Sequence, residues 1–385
     1  MYLNTVFTVP KTEKMSGNNL PVNESTVNLK GDQRIIVIGA SAGGFEALKK
    51  IVKDLPADLN ASIFIVWHMA PDIRGILPLV LNRFNTLYAA HAYDKEEIKR
   101  GRIYIAPPDH HLIVEEGRMR VTRGPKENRF RPAIDPLFRS AAYTYGNRVI
   151  GVILTGALDD GTAGLWTVKH YGGIAIVQDP LDAEVPSMPE NARREVEIDY
   201  CLPVADIAEL LTRLSKEKLK TNGVMKDEKT KTEIQIAAEE GALEKGIMNL
   251  GELTPFACPE CHGVLSKIQD GKLSRYRCHT GHAYSVDTLL ASISERIEDS
   301  LYSAMRGIDE SIMLLNHIGD HYAEVNYTKL AALYFQKAKE AEARAELVRK
   351  AVLSNEQLSK DGILQQVEEG ISPQPISKGE GQETR

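Results

Sequence analysis

Arg34-Ile35-Ile36-Val37-Ile38-Gly39-Ala40-Ser41-Ala42-Gly43-Gly44 is the stretch on which the reading of this chain turns. Ile35 to Ile38 form a continuous apolar run, as a parallel strand covered on both faces requires, and Phe45 to Leu55 then repeats apolar residues at helical spacing. Ser41 therefore falls where a strand ends and a helix begins, walled by glycines. The first amides of a helix have no partner within it and carry partial positive charge. A hydroxyl placed there has oxyanion donors beside it.

Outward from this stretch, short apolar runs alternate with helical patterns from Arg34 to about Leu214. The candidate strands are Ile35–Ile38, Ile63–Trp67, Ile103–Ala106, Val149–Leu154 and Ile174–Val177. This alternation predicts an α/β fold with a doubly wound, mostly parallel sheet in a Rossmann-like three-layer arrangement, spanning 33–215. His111–Val114 and Met119–Thr122, on either side of Glu116-Gly117, read as a hairpin inserted in that sheet. Residues 216–254 are charge-rich and read as a linker with a short helix at Glu233–Leu243. Residues 255–285 hold a compact cysteine and histidine cluster. Residues 286–354 carry two helical stripes, Leu290 to Leu315 and Leu330 to Val352, with a loop at Gly319 to Asn326, and so predict an antiparallel helical hairpin. The ends, 1–32 and 355–385, lack apolar periodicity and are expected to be disordered.

With 385 residues, 43% of them hydrophobic, the chain can bury a substantial core in more than one folded unit. Its net charge of -6 argues against a general nucleic-acid binder. No apolar run approaches the roughly 20 residues of a membrane span, and the start lacks the basic segment of a secretory signal. A cytoplasmic protein without membrane insertion is expected.

In doubly wound sheets, chemistry gathers outside the carboxyl ends of the strands. Ser41 follows the first strand, His68 directly follows Ile63–Trp67, and Asp160 lies in Leu154-Thr155-Gly156-Ala157-Leu158-Asp159-Asp160-Gly161 just past another. Each has an ordinary structural role open to it: a helix cap for Ser41, a core histidine for His68, a turn or cap residue for Asp160. Their coincidence at one rim points instead to a nucleophile, a general base and a base-orienting carboxylate. A dinucleotide site would need glycine where Ser41 stands and an acid after the second strand, where this chain has Trp67-His68-Met69. An α/β-hydrolase would order its residues Ser, acid, His, whereas the order here is Ser, His, acid.

Cys258-Pro259-Glu260-Cys261, sixteen residues, then Cys278-His279-Thr280-Gly281-His282 gives the spacing of a tetrahedral zinc site. Four ligands, Cys258, Cys261, Cys278 and either His282 or His279, would close the shell. His282 has the more comfortable separation, and the metal is expected to be structural.

With these residues in view, the segment from about Arg34 to Leu214 resembles the catalytic domain of CheB-type chemotaxis protein-glutamate methylesterases. The resemblance rests on Ile38-Gly39-Ala40-Ser41 with Gly43-Gly44, the His68-Met69 pair, and Arg131-Pro132-Ala133-Ile134-Asp135-Pro136-Leu137-Phe138. Leu154-Thr155-Gly156 with Asp160-Gly161, and Met188-Pro189, complete it. It implies that Ser41 is the nucleophile, His68 the base and Asp160 its orienting partner. It further implies hydrolysis of glutamyl methyl esters, and in some members glutamine deamidation, on the cytoplasmic helices of methyl-accepting chemoreceptors, with no cofactor for the chemistry. Main-chain donors near Ala42 and Ala157 would hold the oxyanion. The family often has threonine after the serine and Met-Gly in the acid loop, where this chain has Ala42 and Ala157-Leu158. The family's usual amino-terminal receiver domain is not expected here, and a zinc-ribbon-like segment accompanies some receiver-lacking members. The competing reading is a catalytically weak scaffold of this type that binds other chemosensory proteins through its carboxyl-terminal module and helices.

Overall fold

A computed structural model describes residues 33–68, 76–219, 226–239, 241–356, 358 and 363. Met69 of the His68-Met69 pair, the tail 1–32, and the tail 355–385 apart from 355, 356, 358 and 363 lie outside the described residues.

The chain runs β1 (Arg34–Ala40), α1 (Gly44–Asp54), β2 (Ala61–Trp67), α2 (Ile76–Asn82), β3 (Tyr88–His91) and β4 (Arg102–Ile105). It continues through β5 (His111–Glu115), β6 (Arg118–Thr122), α3 (Ile134–Tyr145), β7 (Val149–Ile153), α4 (Thr162–His170) and β8 (Ile174–Gln178). Next come α5 (Ser187–Glu195), β9 (Tyr200–Leu202) and α6 (Val204–Lys216). Seven strands form one wholly parallel sheet in the order β3-β4-β2-β1-β7-β8-β9. Alternate residues of β1 serve two cores. Ile36 and Ile38 pack with Leu48 and Ile51 of α1 and Leu211 of α6, while Ile35 and Val37 pack with Leu137 and Phe138 of α3 and Leu165 of α4. Burial on both faces is why this strand reads as an unbroken apolar run. The chain leaves β1 for β2 on one side and returns to β7 on the other, so the strand order reverses beside β1.

The expected hairpin exists, but it is not inserted in the main sheet. β5 and β6 form a separate two-stranded sheet packed on α3, where the Ser140 hydroxyl accepts from Val114 N–H at 3.0 Å.

The remainder comprises α7 (Glu228–Ala237), β10 (Glu252–Ala257), β11 (Val264–Asp270), β12 (Leu273–Cys278), β13 (Ala283–Ser285), α8 (Val286–Glu324) and α9 (Thr328–Leu353). Strands β10 to β13 make a four-stranded antiparallel sheet in sequence order. Two expectations are corrected in this half. The stretch 216–254 is not simply a solvated tether, because α7 is a packed helix that starts earlier than Glu233 and buries it. Its cap is Asp227, which accepts from Thr230 N–H at 2.7 Å. Nor is there a loop from Gly319: α8 runs on to Glu324, and Gly319 lies inside it. The missing Cβ makes room for the Phe335 ring of α9, whose Cε1 would stand 2.7 Å from that carbon. Here glycine is a packing notch and not a helix stop. Among the described residues no helix is long and apolar enough to cross a membrane.

A buried ionic network joins the two halves. Glu127, just before α3, takes Arg139 of α3 at 3.1 Å and Arg277 of β12 at 2.8 Å. Glu233 of α7 takes Arg277 at 3.0 Å and Arg275 at 2.8 Å. Burial alone would raise the Glu127 carboxyl, but Arg139 and Arg277 outweigh it and hold it at about 2. Because this folded value lies below the ordinary 4.5, the stability Glu127 contributes is fully present above pH 4.5 and is lost as pH falls through about 2. Removing one partner of such a pair leaves buried charge uncompensated. Glu127→Gln is therefore expected to lower unfolding free energy by about 3–5 kcal/mol at pH 7 in urea titrations, with the gap from wild type narrowing below about pH 3. Equal stability at neutral pH would remove the network from this role.

Candidate active site and cysteine cluster

Ser41 stands at the carboxyl end of β1, held by its own backbone. Its N–H donates to Thr155 carbonyl at 3.0 Å, and its carbonyl accepts from the Trp67 indole at 3.1 Å and from Gly44 N–H at 2.9 Å. The turn into α1 passes through Gly43 at φ 74°, a left-handed conformation that favours glycine. Gly156, after β7, comes so close that a Cβ there would lie 2.7 Å from Ser41 Cβ and 2.1 Å from Met188 Sδ. Two glycines thus permit the close approach of three chain segments around one hydroxyl.

His68 extends β2, its N–H donating to Ala40 carbonyl at 3.0 Å, which sets its side chain beside Ser41. The imidazole Nδ1 lies 3.3 Å from Ser41 Oγ, and Nε2 lies 2.9 Å from Asp160 Oδ2. A carboxylate only accepts, so in the neutral imidazole the ring nitrogen facing Asp160 carries the proton and the one facing Ser41 is a free base. The Phe130 ring stacks on the imidazole, centroids 3.7 Å apart and planes 12° from parallel. Both His68 and Asp160 side chains are buried.

Asp160 is satisfied on both oxygens. Oδ2 accepts from Ile134 N–H at 2.7 Å as well as from His68, and Oδ1 accepts from the Asn128 amide at 2.8 Å. Ile134 begins α3, so its N–H is one of the unpaired donors at a helix start, and the helix dipole favours the charge it meets. The same Asn128 nitrogen also donates to Asp135 Oδ2 at 2.8 Å. Burial, then the neighbouring charge of Asp160, push the Asp135 carboxyl up to about 7. This upward shift eases the placing of two acids around one amide.

The structure brings Ser41, His68 and Asp160 into one hydrogen-bonded line. Among the described residues, the N–H groups of Ala42 and Ala157 donate to no protein acceptor, and the Ser41 carbonyl, which shares a peptide with the Ala42 N–H, is held by the Trp67 indole and Gly44 N–H. Such a site can deprotonate a hydroxyl for attack on a carbonyl and offers free amides for the oxygen that becomes charged. Sequence reasoning did not single out Asn128 and Phe130. Both sit in an irregular segment before Arg131-Pro132, and no periodicity marks them.

At the far end of the small sheet, Cys258, Cys261, Cys278 and His282 bring their ligand atoms within 4.8 Å of one another. Cys261 and Cys278 sulfurs are 3.6 Å apart, and His282 Nδ1 is 3.7 Å from Cys258 Sγ and 3.6 Å from Cys278 Sγ. Zinc–sulfur bonds of about 2.3 Å at tetrahedral angles put ligand sulfurs about 3.8 Å apart, so these side chains fit that metal. His279 lies outside the cluster, its ring against Gly263.

Comparison with known proteins now adds a family. The family model described as CheB methylesterase matches residues 36–211. A Leptospira interrogans relative, provisionally named a protein-glutamate methylesterase/protein-glutamine glutaminase, is 43% identical over 185 residues, covering 48% of this chain and 96% of that protein. The Thermotoga maritima protein-glutamate methylesterase/protein-glutamine glutaminase is 39% identical over 185 residues, covering 47% of this chain and 54% of its own length. The crystal structure of the T. maritima CheB methylesterase catalytic domain covers 47% of this chain and 98% of that domain, with 39% identity and a TM-score of 0.46. Because a relative more than two-fifths identical is spanned almost end to end, the chain belongs to the CheB methylesterase family.

Proposed function

We propose that this protein hydrolyses glutamyl methyl esters, and deamidates glutamine, on the cytoplasmic helices of methyl-accepting chemoreceptors. Family membership supports the reaction class, since relatives are named for these two activities. The observation that carries the residue assignment is the line from Ser41 Oγ through the His68 ring to Asp160 at 3.3 and 2.9 Å.

In this reading Ser41 Oγ attacks the side-chain carbonyl of the substrate while His68 Nδ1 takes the hydroxyl proton. The imidazolium that forms is stabilised by Asp160, which also keeps the ring in the tautomer that faces Ser41 with a free base. The carbonyl oxygen becomes an anion held by the Ala42 and Ala157 amides. Collapse breaks the ester C–O bond, and His68 returns its proton to the departing methanol, or to ammonia from a glutamine. Water, deprotonated by the same ring, then splits the acyl-enzyme and releases glutamate. None of these steps calls on a cofactor. The ester and amide routes differ only in leaving group, which is why one site can serve both.

The cysteine cluster lies apart from these steps. We assign Cys258, Cys261, Cys278 and His282 as ligands of a structural zinc, which would supply a small sheet with stability that its limited core does not. That core is Leu265, Tyr284 and Leu289 around two of the cysteines.

Methanol release from methylated receptor tests the main reading. Ser41→Ala is expected to reduce it by on the order of 10⁴-fold or more, and Asp160→Asn by about 10⁴-fold, with both variants folded by circular dichroism. Release by Ser41→Ala equal to wild type would reject the mechanism and leave a binding scaffold as the reading. For the metal, elemental analysis of purified protein should find about one zinc per chain, and Cys258→Ser should retain less than about half of it. Metal-free wild type that melts no lower than the loaded protein would overturn the assignment.

A further inference from the structure

The segment 126–131 has two sides. Toward the active site, Asn128 donates to Asp160 Oδ1 at 2.8 Å and Phe130 stacks on His68. Toward the carboxyl-terminal module, the four residues Lys126 to Arg129 are engaged. Lys126 carbonyl accepts from Ala283 N–H at 3.2 Å, and Asn128 N–H donates to Ala283 carbonyl at 2.8 Å, so the strap pairs with β13. Glu127 holds Arg277 of β12, and Arg129 pairs with Glu295 of α8.

The contacts converge on one side chain. Asn128 Oδ1 accepts from Ser285 N–H at 2.9 Å and from the Thr288 hydroxyl at 3.2 Å, both within the capping box that starts α8. Its amide nitrogen meanwhile serves Asp160 and Asp135. An amide group is planar, so fixing its oxygen fixes the direction of its N–H bonds. Asn128 adopts φ 49°, in the left-handed region that asparagine tolerates. A second tie runs in parallel, since the Ser285 hydroxyl donates to Asp159, the residue before Asp160, at 2.7 Å.

We propose that Asn128 is a positioning residue for the Asp160–His68 pair, and that the carboxyl-terminal module sets its orientation through the Ser285–Thr288 cap. This rests on the reading of Ser41, His68 and Asp160 as the reacting group. The module then completes the site rather than merely accompanying it. Asn128 faces Asp160 and not the hydroxyl of Ser41, so its loss acts on turnover and leaves substrate affinity alone.

The test uses the full chain with methylated receptor. Asn128→Ala is expected to lower kcat by about 10–100-fold with KM within about twofold, the size of effect that misplacing a reacting group produces. Thr288→Val, which removes the module's hydroxyl donor, should lower kcat in the same direction by at least about threefold, and Thr288→Ser should restore it. The low-field proton resonance of the imidazole N–H bonded to Asp160 reads position without turnover. It should shift or broaden in Asn128→Ala and Thr288→Val and be kept in Thr288→Ser. If Ser41→Ala is inactive yet Asn128→Ala keeps wild-type kcat and resonance, the positioning role is overturned while the mechanism stands. If Thr288→Val changes neither, the module's part in it is overturned. Should Asn128→Ala fail to fold, the Thr288 pair and the resonance still decide.

Discussion

The arrangement depends on keeping one carboxylate charged where water does not reach it. An isolated buried carboxylate would be strongly disfavoured, and it persists only when its oxygens are met by donors. At Asp160 those donors come from three places: the first amide of α3, the ring of His68 after β2, and the side chain of Asn128. Each arrives from a different part of the chain, so the charge at Asp160 and the docking of these parts sustain one another. Burial, then the charge of Asp160, push the neighbouring Asp135 carboxyl up to about 7.

A second charged assembly sits behind the first. Glu127 and Glu233 with Arg139, Arg275 and Arg277 are all nearly inaccessible, and they bind α3, α7 and β12 together. Arginine suits this, because its planar fork can address two carboxylates while remaining charged. Such networks contribute less to net stability than their contacts suggest, yet removing one partner is strongly destabilising. Glu127 is the residue next to Asn128, so the network also fixes the register of the strap over the site.

Much of the parallel sheet was legible because its central strands are buried on both faces and therefore uninterrupted in apolarity. The edge strands β3 and β9 escaped, being 4 and 3 residues long, and β3 carries the exposed Tyr88. Ser41, His68 and Asp160 could be placed at one rim from sequence because each follows a strand whose neighbours are set by topology. Asn128 and Phe130 could not, because their partners lie in irregular backbone and, for Asn128, as far away as Thr288. Charge-rich composition misdescribed 216–254 for a physical reason as well. Glu233 reads as a solvated residue until the arginines that neutralise it are folded onto it. Gly319 misled in the opposite sense, since a residue that ends helices can also let a facing ring in.

The 39 residues of α8, at 1.5 Å each, make a rod about 58 Å long, seated at Ser285 beside Asp159 and Asn128. Mechanically this is an arm with its pivot at the contact of Ser285 with Asn128 and Asp159. A swing of about 5° at the pivot carries the tip through about 5 Å, so displacement is large at one end and force at the other. Whatever holds or pulls the distal part of the hairpin has leverage over the few hydrogen bonds at its root.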